Sequence, residues 1–329
     1  MIRIGILGAA KIGPKAIIDP AAARSDCEIV AVAARDEAKA RTYADTHGIA
    51  HVETDYNALV RRADVDLIYN ALPPHRHADL TIAALEAGKA VLCEKPFAMN
   101  TAEAIRMVDA AHRTGQPLIE AFHYRFHPAF LRVLEIVRSG ELGAVKTMDA
   151  VFNVSIPYRE GELRHTLNLG GGALMDLGCY SIHMIRTLAD AEPNVLSASA
   201  QCDRPGVDIS TKAHLGFSSG ASASVECSMA DGERKIWLEV VCTDGCVSLL
   251  NPVHPHRGHE ITIRRGGDVR TETADGNITY EHQLDHVMDV LTGRALPLTG
   301  GADAIGNMAT IDAIYEAAGL SPRRDLPPA

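Results

Sequence analysis

The chain has 329 residues, 47% hydrophobic and 22% charged, with 32 Lys and Arg against 42 Asp and Glu for a formal charge of −10. This composition excludes a disordered, collagen-like or low-complexity chain, and at roughly 150 residues per domain it makes two domains the expectation. An acidic surface repels phosphate backbones and anionic lipid, and no apolar run approaches the ~20 residues of a membrane span, so neither nucleic acid nor membrane is an expected partner.

Met1 to Gly5 runs straight into a strand pattern and lacks the regions of a signal peptide. The seven cysteines are odd in number, scattered and set mostly in apolar runs, as free thiols are. A cytoplasmic location is the expectation from both.

Short apolar β-branched runs predict strands at Ile2 to Leu7, Cys27 to Ala33, Asp66 to Asn70, Ala90 to Cys93 and Pro117 to Ala121. Helical patterns fall between them, at Asp36 to His47, His77 to Ala87 and Thr101 to Thr114. The last has Asn100 and Thr101 as cap candidates and Gly115 as its stop. Such alternation predicts an α/β first domain over 1–122, a doubly wound parallel sheet of the Rossmann type.

Beyond residue 122 the pattern changes, and an α+β second domain over 123–329 is expected. A helix at Pro128 to Ser139 precedes alternating segments at Val145 to Val154, Val195 to Cys202, Thr211 to Phe217, Ser222 to Met229 and Ile236 to Leu250. Alternation implies a large, open, mostly antiparallel sheet with one face on a core. Asp244-Gly245 predicts a hairpin turn through positive φ. Helices are expected at Tyr280 to Thr292 and Ala302 to Ala318, the last packing back on the first domain, and the tail after Ser321 is expected to fray.

Gly8-Ala9-Ala10-Lys11-Ile12-Gly13 follows the first strand and opens a helical stretch. It is a variant of the dinucleotide fingerprint. Gly8 permits the tight turn, Ala10 and Gly13 let backbone and helix close up, and Lys11 and Ile12 lie in the loop facing a pyrophosphate at the helix N-terminus. NAD sites place a carboxylate at the end of the second strand, whereas an arginine suits a 2′-phosphate. Here Ala34 is followed by Arg35, so NADP(H) is favoured, with NAD(H) as the alternative. Asp36 leaves two readings open: it accepts from the ribose, or it caps the next helix.

Leu72-Pro73-Pro74-His75-Arg76-His77, Val91-Leu92-Cys93-Glu94-Lys95-Pro96 and Gly170-Gly171-Gly172-Ala173-Leu174-Met175-Asp176-Leu177-Gly178-Cys179-Tyr180 follow in order. With the glycine turn, these segments resemble the Gfo/Idh/MocA oxidoreductases over essentially the whole chain. Tyrosine at the last motif position resembles the subgroup of dihydrodiol dehydrogenases, NADP-dependent xylose dehydrogenases and nucleotide-sugar ketoreductases. The resemblance implies cofactor contacts at Leu72, Pro73, His77, Glu94 and Lys95, a cis bond before Pro96 that aims Lys95 inward, and a homodimer or homotetramer built through the C-terminal sheet.

It also implies Lys95 and Tyr180 as the proton-handling pair. A phenol near pKa 10 is a poor base at neutral pH, but a neighbouring ammonium favours the phenolate. Tyr180 is therefore expected as acid/base with Lys95 supporting it; Lys95 as the direct base is the alternative. Asp176, at i, i+4 spacing from Tyr180, is expected on the same helix face, bonding an adjacent substrate hydroxyl. His123, Arg125, Phe152, Arg164 and His165 complete the expected substrate wall. The substrate is expected to be a sugar, cyclic polyol or vicinal diol, oxidised or reduced at a CH–OH/C=O carbon. A non-enzymatic dinucleotide sensor is the rival, although a sensor has no need of Lys95, Asp176 and Tyr180 together. His254, His256 and His259 have no zinc spacing and read as a solvated loop; no metal is expected.

Overall fold

The computed structural model describes residues 1–323; the last six positions of the tail lie outside it. Among the described residues the chain forms two compact units, one of Met1–Phe122 with Gln283–Ile305, the other of His123–His282 with residues 306–323. The sequence division at 122/123 differs in residues 283–305. These belong to the first unit because their backbone pairs with its edge: Glu120 N–H donates to Thr299 O at 3.1 Å, and Thr299 Oγ1 donates to Glu120 O at 2.7 Å. No periodicity announces a pairing across so long a separation.

The first unit holds β1 (Ile2–Leu7), α1 (Asp19–Ala22), β2 (Cys27–Ala33), α2 (Glu37–His47), β3 (His51–Glu53), α3 (Tyr56–Val60), β4 (Leu67–Asn70), α4 (His77–Glu86), β5 (Ala90–Cys93), α5 (Thr101–Thr114) and β6 (Leu118–Glu120). Its sheet is wholly parallel, in the order β3-β2-β1-β4-β5-β6, which is the Rossmann order. The central strands are buried on both faces, so they read as unbroken apolar runs. The short β3 and α3 carry no such run, and sequence reasoning missed them. α5 starts as expected: Asn100 accepts from Glu103 N–H at 3.0 Å, Glu103 accepts from Met99 N–H at 2.9 Å, and Gly115 ends the helix at φ 66°.

The second unit opens with α6 (Pro128–Ser139), β7 (Val145–Asn153) and α7 (Cys179–Ala189). There follow β8 (Asn194–Arg204), β9 (Val207–Gly216), β10 (Ser222–Ser228), β11 (Lys235–Cys242), β12 (Gly245–Leu250), β13 (Glu260–Arg265) and β14 (Asp268–Glu272). α8 (Thr279–Leu291) and α9 (Ala302–Ala317) close the described chain. Its eight strands run β14-β13-β12-β11-β7-β10-β9-β8, antiparallel except for β7 with β10. β10 and β11 alternate buried and half-buried residues, and α7 packs on β7 and β10.

Two local expectations are corrected here. The β11–β12 hairpin forms, yet neither Asp244 nor Gly245 takes a positive φ. Its turn is held from outside instead, Thr243 N–H donating to Ala144 O and Asp244 N–H to Leu142 O, both at 2.9 Å. The tail does not fray at Arg323, which is buried and bonded to Gly171 O, Gly206 O, Tyr315 and Asp208.

Candidate active site

In the first unit the turn after β1 is tight and tied to the neighbouring strands. Gly8 sits at φ 100°, where a Cβ would press on Leu72 Cδ2 at 3.1 Å and Ala71 O at 3.4 Å. Its N–H donates to Ala33 O at 2.8 Å, which ties the turn to the end of β2. Ala10 N–H donates to Gly8 O and Gly13 N–H to Ala10 O. Among the described residues no backbone hydrogen bond is made by the amides of Ala9, Lys11 and Ile12. Lys11 is exposed, and Ala10 and Ile12 are half-buried. The helix that follows is not a plain α-helix: Pro14–Ile18 winds as a π-turn before α1.

Sequence reasoning missed Tyr43. Its hydroxyl donates to Ala10 O at 3.3 Å and stands where a Cβ on Gly13 would lie. Burial pushes this phenol up to about 12, so it remains a donor. At the end of β2, Asp36 makes the helix-cap contact, one of its two expected roles. Its carboxylate caps α2 by accepting from Lys39 N–H at 3.0 Å, and Arg35 beside it is exposed.

His77 is fully buried, with Nε2 2.7 Å from Leu72 O and Nδ1 3.0 Å from Pro96 O. Full burial outweighs those carbonyls and pushes the imidazole down to about 4, so the neutral ring donates to one of them at a time. His77 thereby clips the Leu72-Pro73 loop to the Lys95-Pro96 segment, and its ring nitrogens face backbone instead of solvent. The Lys95–Pro96 bond is cis. Glu94 accepts from Tyr69 Oη at 2.6 Å and from Lys95 N–H at 3.3 Å, while Lys95 is half-buried.

In the second unit the glycine run is a packing requirement. A Cβ on Gly171 would lie 2.7 Å from Arg164 O, and one on Gly172, at φ 134°, would run into Asp208, Arg323 and Tyr315. Asp208 accepts from Leu174 N–H at 2.8 Å, which anchors the start of the next helix. That helix opens as a π-turn, Leu174–Gly178, before α7. Asp176 therefore lies on the π-turn and Tyr180 on the first turn of α7, so the uniform i, i+4 α-helical spacing does not hold. Asp176 accepts from Arg164 Nε at 2.7 Å, and Arg164 also donates to Glu162 at 3.1 Å.

Tyr180 is buried, its hydroxyl 3.1 Å from His123 Nε2. His123 Nδ1 lies 2.8 Å from Thr279 Oγ1, a partner no sequence signal marked. Phe152 packs edge-on to Tyr180 with ring centroids 5.6 Å apart, and Tyr124, itself bonded to His183, lies at 5.9 Å. Tyr180, His123 and Phe152 are thus brought together. Arg125 is buried with its guanidinium over Phe130, and His165 contacts Ile156 O at 2.8 Å. Of the three loop histidines, His259 is held between Pro255 O and Ala274 N–H, and His254 lies 5.8 Å from His123. No group of three metal-ligating side chains occurs among the described residues.

Residues 2–122 match a family model described as an oxidoreductase family with an NAD-binding Rossmann fold, and residues 130–248 match the GFO/IDH/MocA C-terminal domain. The chain is 37% identical over 320 residues to D-xylose 1-dehydrogenase (NADP(+)) 2 of Haloferax volcanii, covering 96% of this chain and 97% of that one. It is 35% identical to a dTDP-3,4-didehydro-2,6-dideoxy-alpha-D-glucose 3-reductase of Streptomyces violaceoruber, over 80% of this chain and 77% of the relative. Among solved structures, aldose-aldose oxidoreductase from Caulobacter crescentus, complexed with glycerol, superposes with a TM-score of 0.88 at 28% identity, covering 97% of each chain.

Proposed function

The chain belongs to the Gfo/Idh/MocA oxidoreductase family, and from that premise we propose that it moves a hydride between NADP(H) and a CH–OH/C=O carbon of a sugar, cyclic polyol or vicinal diol. One observation carries the reading: a buried tyrosine hydroxyl in a polar cluster at the start of α7, four residues after a carboxylate held by Arg164. That is the equipment for moving a proton at a hydroxyl and for gripping a second hydroxyl.

The nicotinamide dinucleotide, when bound, supplies the hydride acceptor or donor. Amides of the Gly8–Gly13 turn would hold its pyrophosphate, and Arg35, beside the helix cap Asp36, would pair with a 2′-phosphate. Tyr180 takes the alcohol proton during oxidation and returns it during reduction. Lys95 is the second proton-handling group of the proposal, and Asp176, oriented by Arg164, accepts from a neighbouring substrate hydroxyl. Similarity to the xylose dehydrogenase makes aldoses the first substrates to try.

A homodimer or homotetramer through the second-unit sheet belongs to the same proposal. It is supported by Leu196 on β8 and Val269 on β14, 66% and 63% exposed. A cytoplasmic location is supported by seven free cysteines; no helix among the described residues is long and apolar enough to cross a membrane.

The test is nicotinamide absorbance with NADP+ and NAD+ against aldoses, cyclic polyols and diols. Turnover is expected with at least one aldose, faster with NADP+. Silence across the panel, or full turnover in both Lys95→Ala and Tyr180→Phe, overturns the proposal.

A further inference from the structure

A phenol that accepts the alcohol proton while donating its own must have somewhere to send it. Tyr180 is buried, and its hydroxyl faces the imidazole of His123, which is buried as well. His123 in turn meets the loop between β12 and β13. Its ring centroid is 5.8 Å from that of His254, and His254 is 6.0 Å from His256, both half-buried. The rings of Tyr180, His123, His254 and His256 therefore form a file from a buried hydroxyl to a partly exposed loop. The contacts that orient His123 are Thr279 at Nδ1 and the ring of Tyr280 at 4.1 Å.

We infer that His123 is the proton relay of Tyr180, and that His254 and His256 carry the proton between His123 and solvent. The inference rests on Tyr180 as the acid/base. In oxidation the alcohol O–H bond breaks and its proton goes to Tyr180 Oη, which passes its own proton to His123 Nε2. A bound nicotinamide would take the hydride with the C–H electron pair, which leaves one proton per turnover to reach water. Before transfer, Tyr180 donates to Nε2 and the neutral His123 carries its proton on Nδ1, toward Thr279 Oγ1. From His123 outward the rings of His254 and His256 follow at centroid separations of 5.8 and 6.0 Å, and bridging solvent would complete the path. The loop Val253 to His259, whose histidines have no metal-binding spacing, gains a purpose through this path.

Two measurements test the relay. The first needs neither substrate nor cofactor: nitrogen-detected histidine NMR of the protein across pH, with the His123 signal assigned by its loss in His123→Gln. That signal is expected to change its titration in Tyr180→Phe and again in His254→Asn; a titration indifferent to both overturns the inference. The second is kinetic, on the best substrate of the panel. His123→Gln is expected to lower kcat ~10-fold or more with KM little changed, to shift the pH profile, and to recover rate with added imidazole, which a packing defect does not do. If Tyr180→Phe keeps full turnover, the acid/base reading itself fails. If Tyr180→Phe is inactive while His123→Gln keeps the wild-type pH profile, the relay alone is wrong. His254→Asn, on a half-buried loop, gives the same readouts should the buried substitution disturb folding.

Discussion

Tyr43 reaches from α2 to the glycine turn, where its hydroxyl donates to Ala10 O at 3.3 Å and occupies the space a side chain on Gly13 would need. Gly13→Ala must therefore displace the tyrosine or open the turn. NADP+ affinity is expected to fall about 10-fold or more, a loss of ~1.4 kcal/mol. Gly13→Ala/Tyr43→Phe is expected to recover part of it, because the clashing atom is the hydroxyl. Titration calorimetry with NADP+ on wild type, single and double variants decides; a double variant no better than Gly13→Ala refutes the lock.

The proposed pairing of Arg35 with a 2′-phosphate is tested by exchanging its charge, with Asp36 beside it capping α2. Arg35→Asp places a carboxylate where a ribose hydroxyl wants one and a 2′-phosphate does not. The kcat/KM ratio for NADP+ over NAD+ is expected to fall ~10-fold or more, and an unchanged ratio removes Arg35 from the coenzyme site.

Arg323 and Asp208 form a fully buried ion pair 2.9 Å apart, completed by Tyr315, Thr211, the Leu174 amide and two carbonyls. Breaking such a pair leaves a buried charge alone, so Arg323→Met should cost about 3–5 kcal/mol in urea unfolding. Asp208→Leu/Arg323→Met should cost less than the two single changes added together. Additive losses would mean the residues do not act as a pair.

His127 links stability to acid. Burial and the neighbouring His282 and His259 push its imidazole down to about 4, and its Nδ1 accepts from Ala129 N–H, which only the unprotonated ring can do. The unfolded chain binds this proton near 6.5 and the folded one does not until about 4, so the unfolded state holds more protons between those values. Stability from this group is complete above ~6.5 and is lost as pH falls toward ~4, by up to about 3 kcal/mol. His127→Asn keeps the cap acceptor and should flatten that limb of the stability curve measured by urea unfolding. A limb as steep as in wild type would assign it to other groups.

The sequence alone determined what depends on near neighbours. The five apolar runs of the first sheet, the Asn100 cap and Gly115 stop of α5, and the Gly8 turn follow from periodicity and backbone freedom within a few residues. The motif around Asp176 and Tyr180 was legible as well, but its winding was not, because a π-turn differs from an α-turn by one residue per turn, too small a change for periodicity to mark.

Only the tertiary structure decided what meets across the chain. His123, Tyr180 and Thr279 come together over separations of 57 and 156 residues. Gly171 and Gly172 are glycines because carbonyls of Leu163 and Arg164 and the buried Arg323 pair crowd them, and residues 283–305 join the first unit through β6. Close packing sets these relationships: a side chain's partners depend on which surfaces interlock, and local pattern carries no record of that.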